Sequence, residues 1–162
     1  MIYLISDTHF NHKNIIEYED RPFNNVKEMN KTLIDNWNEV VSKHDKVYHL
    51  GDFGWGNKKE ITRLVSRLSG YITLIKGNHD GHSNKWYNEA GFNDVIEGGM
   101  ILDEFILLSH KPLYINNHMP YINIHGHLHG NNMVGKKYIN VGVERINYRP
   151  ILLDTLLGGS DE

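Results

Sequence analysis

Aspartate, histidine and asparagine occur at five places in this sequence, each at or directly after the end of a short apolar run. The five places are "DTH" at residues 7–9, "GD" at residues 51–52, "GNHD" at residues 77–80, the histidine of "LLSH" at residue 110 and "GHLH" at residues 126–129. Carboxylate, amide and imidazole groups bind divalent metal ions, and carboxylates and imidazoles also transfer protons. Because the chain contains no cysteine, any metal would be held by oxygen and nitrogen atoms alone.

Each motif is a weak signal when it is taken alone. An aspartate after a strand is most often part of a turn or a helix cap, and Gly-Asn pairs are typical of turns. His127 and His129 are more specific, because residues two apart on a strand point to the same side. Chance would rarely place all five groups at strand ends within one chain of 162 residues. The combination therefore indicates one shared site.

Three apolar segments in the first half predict β-strands, at residues 2–6, 45–50 and 71–76. Two helices are predicted between them, at residues 25–42 and 57–70, where apolar residues recur every three or four positions. This alternation predicts a parallel, layered α/β arrangement with right-handed crossovers. In such sheets ligands bind beyond the carboxyl ends of the strands, which is where three of the five motifs lie.

The second half of the chain predicts a sheet that is built differently. After a short helix around residues 84–90, turn residues separate short apolar segments that show little helical periodicity. We predict an antiparallel or mixed group of strands packed against the first half. The predicted strands lie within residues 93–98, 100–110, 121–127, 137–143 and 150–157.

Length and composition predict one domain over residues 1–157 and a flexible tail at residues 158–162. The hydrophobic fraction of 40% and the charged fraction of 23% are typical of a globular protein. A formal net charge of -3 disfavours extended nucleic-acid binding. Neither a membrane span nor a signal segment is predicted, so the cytoplasm is the expected compartment. The oligomeric state is left open.

The ordered series "DTH", "GD", "GNHD", a single histidine and "GHLH" resembles the calcineurin-like metallophosphoesterases, a superfamily of binuclear-metal phosphatases and phosphodiesterases. The resemblance covers residues 1–143, and "DTHFNHKNII" together with "RPF" is similar to small bacterial and phage members. It implies an α/β fold, a layered α/β/β/α-type sandwich of mixed sheets with helices outside and the metal site at the carboxyl ends of strands. The implied ligands are Asp7, His9, Asp52 and His129 for one metal, and Asp52, Asn78, His110 and His127 for the other.

The resemblance implies a cofactor of two divalent transition-metal ions bridged by Asp52. Mixed oxygen and nitrogen ligands suit several metals, so Mn²⁺ is the first expectation and Fe, Zn²⁺ and Ni²⁺ are alternatives. Such a pair produces a bridging hydroxide near neutral pH and neutralises the phosphoryl oxygens that the hydroxide attacks. The resemblance assigns the protonation of the leaving oxygen to His79, which Asp80 would orient.

Three further residues are candidate substrate contacts: His12, Arg21 and His118. Each has a plainer interpretation, since His12 lies near a helix start and arginines often cover apolar surface. His49 and His125 flank motif residues on predicted strands, and we expect them to form buried hydrogen bonds rather than to bind metal.

The expected reaction is hydrolysis of a small phosphate ester, with a phosphodiester favoured and a nucleotide among the candidates. Phosphomonoester hydrolysis and nuclease activity are the enzymatic alternatives, and a non-catalytic interaction module is the alternative from another class. Such a module should have lost some metal ligands, whereas every ligand position is filled here. After "GD" the chain continues as "FGWGN", where protein Ser/Thr phosphatases carry an arginine block, and this disfavours protein dephosphorylation.

Overall fold

A computed structural model describes residues 1–158, which form two β-sheets with helices around them. The strands are β1 (Ile2–Ile5), β2 (Lys46–His49), β3 (Tyr71–Ile75), β4 (Asp94–Ile96), β5 (Gly99–Asp103), β6 (Ile106–Ser109), β7 (Ile122–His125), β8 (Tyr138–Asn140) and β9 (Ile151–Leu152). The helices are α1 (Ile15–Tyr18), α2 (Val26–Val40), α3 (Lys58–Val65), α4 (Asn84–Glu89) and α5 (Leu153–Gly158). The predicted α/β sandwich of mixed sheets is confirmed.

The first sheet has the strand order β4-β3-β2-β1-β9. Its first four strands are parallel, as predicted for β1, β2 and β3, and β9 pairs antiparallel with β1. Side chains alternate between the two faces of a strand, so Tyr3 and Ile5 pack against the helices while Leu4 faces the second sheet. The parallel strands therefore end at one common edge.

The helices on the first sheet form as the apolar spacing predicts. In α2, Met29, Leu33 and Trp37 are buried, and the Asn25 side chain caps the helix by accepting from the backbone N–H of Glu28 at 2.8 Å. Helix α3 begins with a capping box between Asn57 and Glu60. It ends at Val65, earlier than predicted, because the backbone N–H groups of Arg67 and Leu68 bond to carbonyls three positions back instead of four.

The second sheet has the strand order β5-β6-β7-β8, with β5 antiparallel to β6 and the other pairs parallel. Leu108 and Ile124 of this sheet pack against Leu4, Leu50 and Ile75 in one cluster of buried residues between the sheets. Complete burial of such a side chain stabilises the fold by roughly 1.5–3 kcal/mol. This cluster holds the two sheets face to face.

Several boundaries in the second half differ from the prediction. The segment at 93–98 contributes β4 and the segment at 150–157 contributes β9, and both strands join the first sheet. The segment at 100–110 lies mostly in the β5–β6 hairpin. Helix α1 was not predicted, and Gly158, expected in the tail, is the last residue of α5. The rest of the predicted tail, residues 159–162, lies outside the described residues.

A short connection brings the edges of the two sheets together. Ser6, directly after β1, forms a parallel bridge with Gly142, just beyond β8. The backbone N–H of Ser6 donates to Val141 at 3.0 Å, and that of Val143 donates to Ser6 at 3.1 Å. The segments that follow β1 and β8 therefore meet at one place. No helix within residues 1–158 combines the length and the apolar character needed to cross a bilayer.

Candidate metal centre

The predicted ligands come from loops at the carboxyl ends of strands in both sheets. Asp7, Asp52 and Asn78 follow β1, β2 and β3, which are parallel and end at the same edge. His110 follows β6, and the "GHLH" loop follows the parallel neighbour β7. The backbone N–H of His127 donates to Asp7 Oδ2 at 2.9 Å and so links the two sets of loops.

Six of the seven predicted ligands form two groups of three, and in each group the candidate ligand atoms lie within 4.8 Å of one another. The groups are Asp7 with His9 and His129, and Asp52 with His110 and His127. The groups adjoin at Asp52, whose Oδ2 lies 3.6 Å from His9 Nε2 and 3.3 Å from His110 Nε2. The seventh residue, Asn78, places its Oδ1 2.9 Å from His110 Nε2.

Two buried atoms of the first group have no hydrogen-bond partner among the described residues. Asp7 Oδ1 and His9 Nε2 are both in this position, and they lie 4.0 Å apart. A buried polar atom without a partner destabilises the fold by roughly 1–3 kcal/mol. A cation bound by both atoms would remove that cost, so these residues fit a metal ion.

The environment of His110 also suits a cation. Its Nδ1 lies 2.8 Å from the carbonyl of Leu50, which can only accept, so Nδ1 carries a proton and Nε2 is the nitrogen that faces the other candidate ligands. Around Nε2 stand the oxygens of Asn78 and Asp52 and, at 3.2 Å, His127 Nδ1. Burial alone would lower the pKa of His110, but the hydrogen bond to Asp52 and the charge of Asp7 raise it, so this position favours a positive charge, whether a proton or a metal ion.

The surroundings of the site shift the pKa values of His9, Asp7 and Asp52. Burial lowers the pKa of His9 to about 2, so the ring is neutral at pH 7 in the form that binds metals. Burial raises the pKa of the Asp7 carboxyl to about 6. Burial alone would also raise the pKa of Asp52, but its hydrogen bond with His110 and the charge of that ring hold the pKa at about 2. Asp52 is therefore ionised at neutral pH.

The backbone at this site adopts an uncommon conformation. Five of the seven predicted ligands have a positive φ angle: Asp7 (57°), His9 (48°), Asp52 (55°), His127 (68°) and His129 (50°). For residues other than glycine this conformation destabilises the chain by on the order of 1–3 kcal/mol each, and such residues cluster at functional sites. The fold holds these turns so that their side chains converge.

Two glycines allow the loops to approach one another closely. A Cβ atom at Gly77 would lie 2.2 Å from Asp52 Oδ1, and one at Gly126 would lie 2.3 Å from Asp7 Oδ2. Any other residue would displace a ligand carboxylate. The glycines of "GNHD" and "GHLH" therefore serve packing within the site.

His79 lies at the exposed side of the metal groups. Its ring centre is 5.7 Å from that of His9 and 5.2 Å from that of Trp55. Its backbone N–H donates to Asp52 Oδ1 at 2.9 Å. Within residues 1–158 the His79 ring has no hydrogen bond, so both of its nitrogens are free to contact a substrate.

Asp80 has a different role from the one expected. Its Oδ2 accepts from the backbone N–H groups of Asp52 and Gly77, both at 2.7 Å, and its Oδ1 accepts from that of Phe53 at 3.1 Å. The hydrogen bonds of the described residues include none between Asp80 and the His79 ring. Because the carboxylate is used by three backbone groups, Asp80 fixes the "GD" loop to the "GNHD" loop instead of orienting His79.

The candidate substrate contacts occupy different environments. The His12 ring lies 5.7 Å from that of His9 and 4.9 Å from that of Trp55, and its Nδ1 is buried without a hydrogen-bond partner in the described chain. His118 is exposed in the loop before β7, and its ring contacts no predicted ligand in the part of the chain that the structure describes. His12 is therefore the better placed of the two.

Arg21 is buried and cannot serve as a substrate clamp. Its guanidinium donates to the backbone carbonyls of Asp7 at 2.7 Å and Thr8 at 2.8 Å, and to Glu144 Oε1 at 2.6 Å. The expectation failed because Arg21 is paired with a carboxylate that lies 123 positions further along the chain. The arginine holds the "DTH" loop from behind.

Glu144 is a residue of the site that the sequence analysis missed. Its Oε1 lies 3.1 Å from His129 Nδ1, which donates to it and leaves Nε2 of that ring for a metal. Burial would raise the pKa of Glu144, but the bond from His129 and the charge of Arg21 lower it below its usual range. Glu144 directly follows the predicted strand at 137–143, and this position was the available signal.

The two flanking histidines form buried hydrogen bonds, as expected. His49 Nε2 lies 2.9 Å from Thr8 Oγ1, and His125 Nδ1 lies 2.8 Å from the carbonyl of Gly126. Both rings support the loops that carry metal ligands.

The contact between Glu144 and His129 yields a testable expectation. Glu144→Gln keeps the size of the side chain but removes the charge that stabilises His129 and Arg21, so metal affinity should fall by roughly 10- to 100-fold. Calorimetric titration of the metal-free protein with Mn²⁺ measures this change. Glu39→Gln is the matched control, since Glu39 pairs with Arg149 on the surface. Equal affinity in both variants would contradict the role of Glu144.

Fold and site together define a class: a layered α/β protein with aspartate, histidine and asparagine gathered at strand ends in a form that suits divalent metals. The chain matches the family model of the calcineurin-like phosphoesterase superfamily domain over residues 1–145 and belongs to this family. The resemblance drawn from the motifs is thereby confirmed. The family in general comprises metal-dependent phosphoesterases.

Similar proteins come from archaea, phages and bacteria. An uncharacterized protein of Methanocaldococcus jannaschii is 44% identical over 171 residues, covering 96% of this chain and 89% of its own. The gene 66 protein of mycobacterium phage L5 is 40% identical over 79 residues, covering 47% of this chain and 38% of its own.

Several solved structures resemble the fold, including one from Aquifex aeolicus and one from Pseudomonas putida. A protein of unknown function from Aquifex aeolicus superposes with a TM-score of 0.73 at 31% identity, covering 93% of this chain and 94% of its own. Pseudomonas putida nuclease MPE superposes with a TM-score of 0.55 at 17% identity, covering 79% and 61% respectively. At 17% identity, the similarity to the nuclease is evidence for the fold alone.

Proposed function

We propose that this protein is a binuclear metal-dependent phosphodiesterase that hydrolyses a small phosphate diester. The observation that carries the proposal is the pair of ligand groups that adjoin at Asp52. Two divalent ions held there would make water nucleophilic near neutral pH and would offset the negative charge of the phosphoryl oxygens. Asp7, His9 and His129 would hold one ion and Asn78, His110 and His127 the other, with Mn²⁺ as the first expectation.

His79 is proposed to donate a proton to the leaving oxygen. It stands beside the ligand groups without belonging to them, and its ring has no hydrogen bond within the described residues. A general acid must reach the leaving oxygen directly, and an exposed ring at the opening of the site satisfies that condition. The alkoxide that leaves an unactivated diester requires such a proton.

The proposed preference for diesters depends on charge. A monoester dianion carries one more negative charge than a diester, and it would call for additional cationic side chains. Arg21 was the candidate for this purpose, but it is buried behind the site and bonded to Glu144 and to backbone carbonyls. The side chains of His12 and His79 remain on the open side, and neither carries a permanent charge. A singly charged phosphate therefore suits the site better.

The proposal predicts that methyl p-nitrophenyl phosphate is hydrolysed with a higher kcat/KM than p-nitrophenyl phosphate. Because both esters release the same leaving group, the ratio reports the charge of the phosphate. We expect a ratio of about tenfold, which corresponds to ~1.4 kcal/mol of transition-state stabilisation. Steady-state kinetics with Mn²⁺, Fe²⁺, Zn²⁺ and Ni²⁺ added separately provides the measurement.

The two possible failures of this experiment are distinct. A clear preference for the monoester would remove the diesterase assignment and leave a phosphomonoesterase. No hydrolysis of either ester with any of the four metals would defeat the proposal of catalysis altogether.

A further inference from the structure

A cavity of about 260 Å³ opens beside the candidate metal centre. Its walls come from the loop after Asp52 and from the segment that begins with His79 and continues into α4. Trp55 and His79 lie toward the metal groups, since their ring centres are 6.4 and 5.7 Å from that of His9. The proposed chemistry at phosphorus does not use the rest of this cavity.

The lining is largely aromatic. It includes Trp55, Trp86, Tyr87 and His82, and among the described residues no carboxylate, lysine or arginine contributes to it. The rings of His82 and Trp86 are stacked, with their centres 3.9 Å apart and their planes at 12°. Flat apolar rings pack well on such surfaces, whereas a charged group would lose its hydration and gain no partner.

The size of the cavity limits what it can hold. Small-molecule pockets usually measure roughly 300–1,000 Å³, so 260 Å³ corresponds to one ring system. Gly81 belongs to the lining and contributes no side chain to it. A Cβ atom at Gly81 would meet no other atom within 4 Å.

We infer that this cavity binds a flat aromatic ring of the substrate, a nucleobase or an aryl group, that is joined to phosphorus through the leaving oxygen. The inference rests on the proposed phosphoesterase function, because it assigns a substrate class to that site. His79 provides the link, since it is proposed to protonate the leaving oxygen and it also forms a wall of the cavity. The group attached to that oxygen is therefore the one next to the aromatic walls.

Binding measurements test the inference directly. Isothermal titration of the protein, both metal-free and Mn²⁺-loaded, compares three phosphate probes: AMP, phenyl phosphate and ribose 5-phosphate. Stacking of one base on aromatic side chains strengthens binding by roughly 5- to 150-fold, so the ring-bearing probes should bind tighter than ribose 5-phosphate by a factor in this range. A preference for AMP alone identifies a nucleobase, and a preference for phenyl phosphate alone identifies an aryl group.

A variant that adds a side chain to the lining provides the second part of the test. Gly81→Leu places a side chain in open space and should reduce the ratio of AMP to ribose 5-phosphate affinity to about one. Gly158→Leu is the matched control, because a Cβ atom at Gly158, at the end of α5, also meets no atom of residues 1–158 within 4 Å. Trp86→Ala tests the same wall by removing an aromatic ring. Circular dichroism confirms that each variant is folded.

The outcomes distinguish a failure of the cavity inference from a failure of the proposed function. Equal affinity for all three probes in the unaltered protein, or an unchanged ratio in both folded cavity variants, overturns the inference while ester hydrolysis still supports the proposed function. A ring preference that disappears in Gly81→Leu, in a protein that hydrolyses no ester, supports the cavity and defeats the proposed function.

Discussion

Asp52→Asn is expected to lower the metal content from two ions per chain to one or none and to reduce phosphodiester hydrolysis by about 10³-fold, or ~4 kcal/mol. The reason is the position of Oδ2, which lies 3.6 Å from His9 Nε2 and 3.3 Å from His110 Nε2 and so faces both ligand groups. Asparagine keeps the shape but replaces a shared anionic oxygen with a neutral amide. Both ligand groups should therefore lose affinity together.

Elemental analysis after saturation with Mn²⁺, together with kcat/KM for a diester, measures both effects. Asp35→Asn is the matched control, since Asp35 is exposed and pairs only with Lys31 on α2. Two ions per chain in Asp52→Asn at affinities close to those of the unaltered protein would show that the carboxylate is not shared. A single ion in the unaltered protein at saturation would defeat the binuclear centre itself.

Topology predicted that the motifs gather at one edge of the sheet, whereas the assignment of individual ligands came from the resemblance to the family. Strands β1, β2 and β3 are parallel, so the polar residues that follow them lie at one edge whatever the details of their loops. The second sheet adds β6 and β7, which are parallel to each other and carry the remaining histidines at their ends. Apolar runs of four or five residues were sufficient to locate these strands.

The positions of β9 and Arg21 could not be predicted, for two different physical reasons. Strand β9 has only two residues, and its place beside β1 depends on contacts made after folding, so its sequence carries no signal for the pairing. Arginine is almost always exposed, so the burial of Arg21 depends on its pairing with Glu144. Pairs so distant in the chain leave no local pattern.

The turns of the site were also outside the reach of sequence reasoning. A positive φ angle, as found at Asp7, His9 and Asp52, is uncommon for residues other than glycine. The amino-acid types in the motifs do not require it. The surrounding contacts require it instead. Asp80 bonds the backbone of Asp52 and Gly77, and Arg21 bonds the carbonyl of Asp7. Two residues that were expected to serve the substrate or the proton donor thus hold the strained loops that present the ligands.

His79→Asn separates proton transfer from metal binding. His79 lies outside both ligand groups, and its contact with Asp52 is made by the backbone N–H, which the substitution does not change. We therefore expect the His79→Asn variant to retain both metals. Loss of a general acid should lower kcat by roughly 10²- to 10⁴-fold for a diester with a poor alkoxide leaving group.

The dependence on the leaving group distinguishes this role from simple substrate binding. A p-nitrophenolate leaves without protonation, so the loss caused by His79→Asn should be much smaller for methyl p-nitrophenyl phosphate than for a dialkyl ester. His44→Asn is the control, because His44 is exposed in the turn before β2, on the amino-terminal side of the sheet. Equal losses of rate for both esters would show that His79 serves substrate binding. A loss of metal would show that His79 is itself a ligand of the metal centre. With both metals retained, a loss that grows as the leaving group becomes more basic would identify His79 as the proton donor, because a more basic leaving oxygen depends more on protonation.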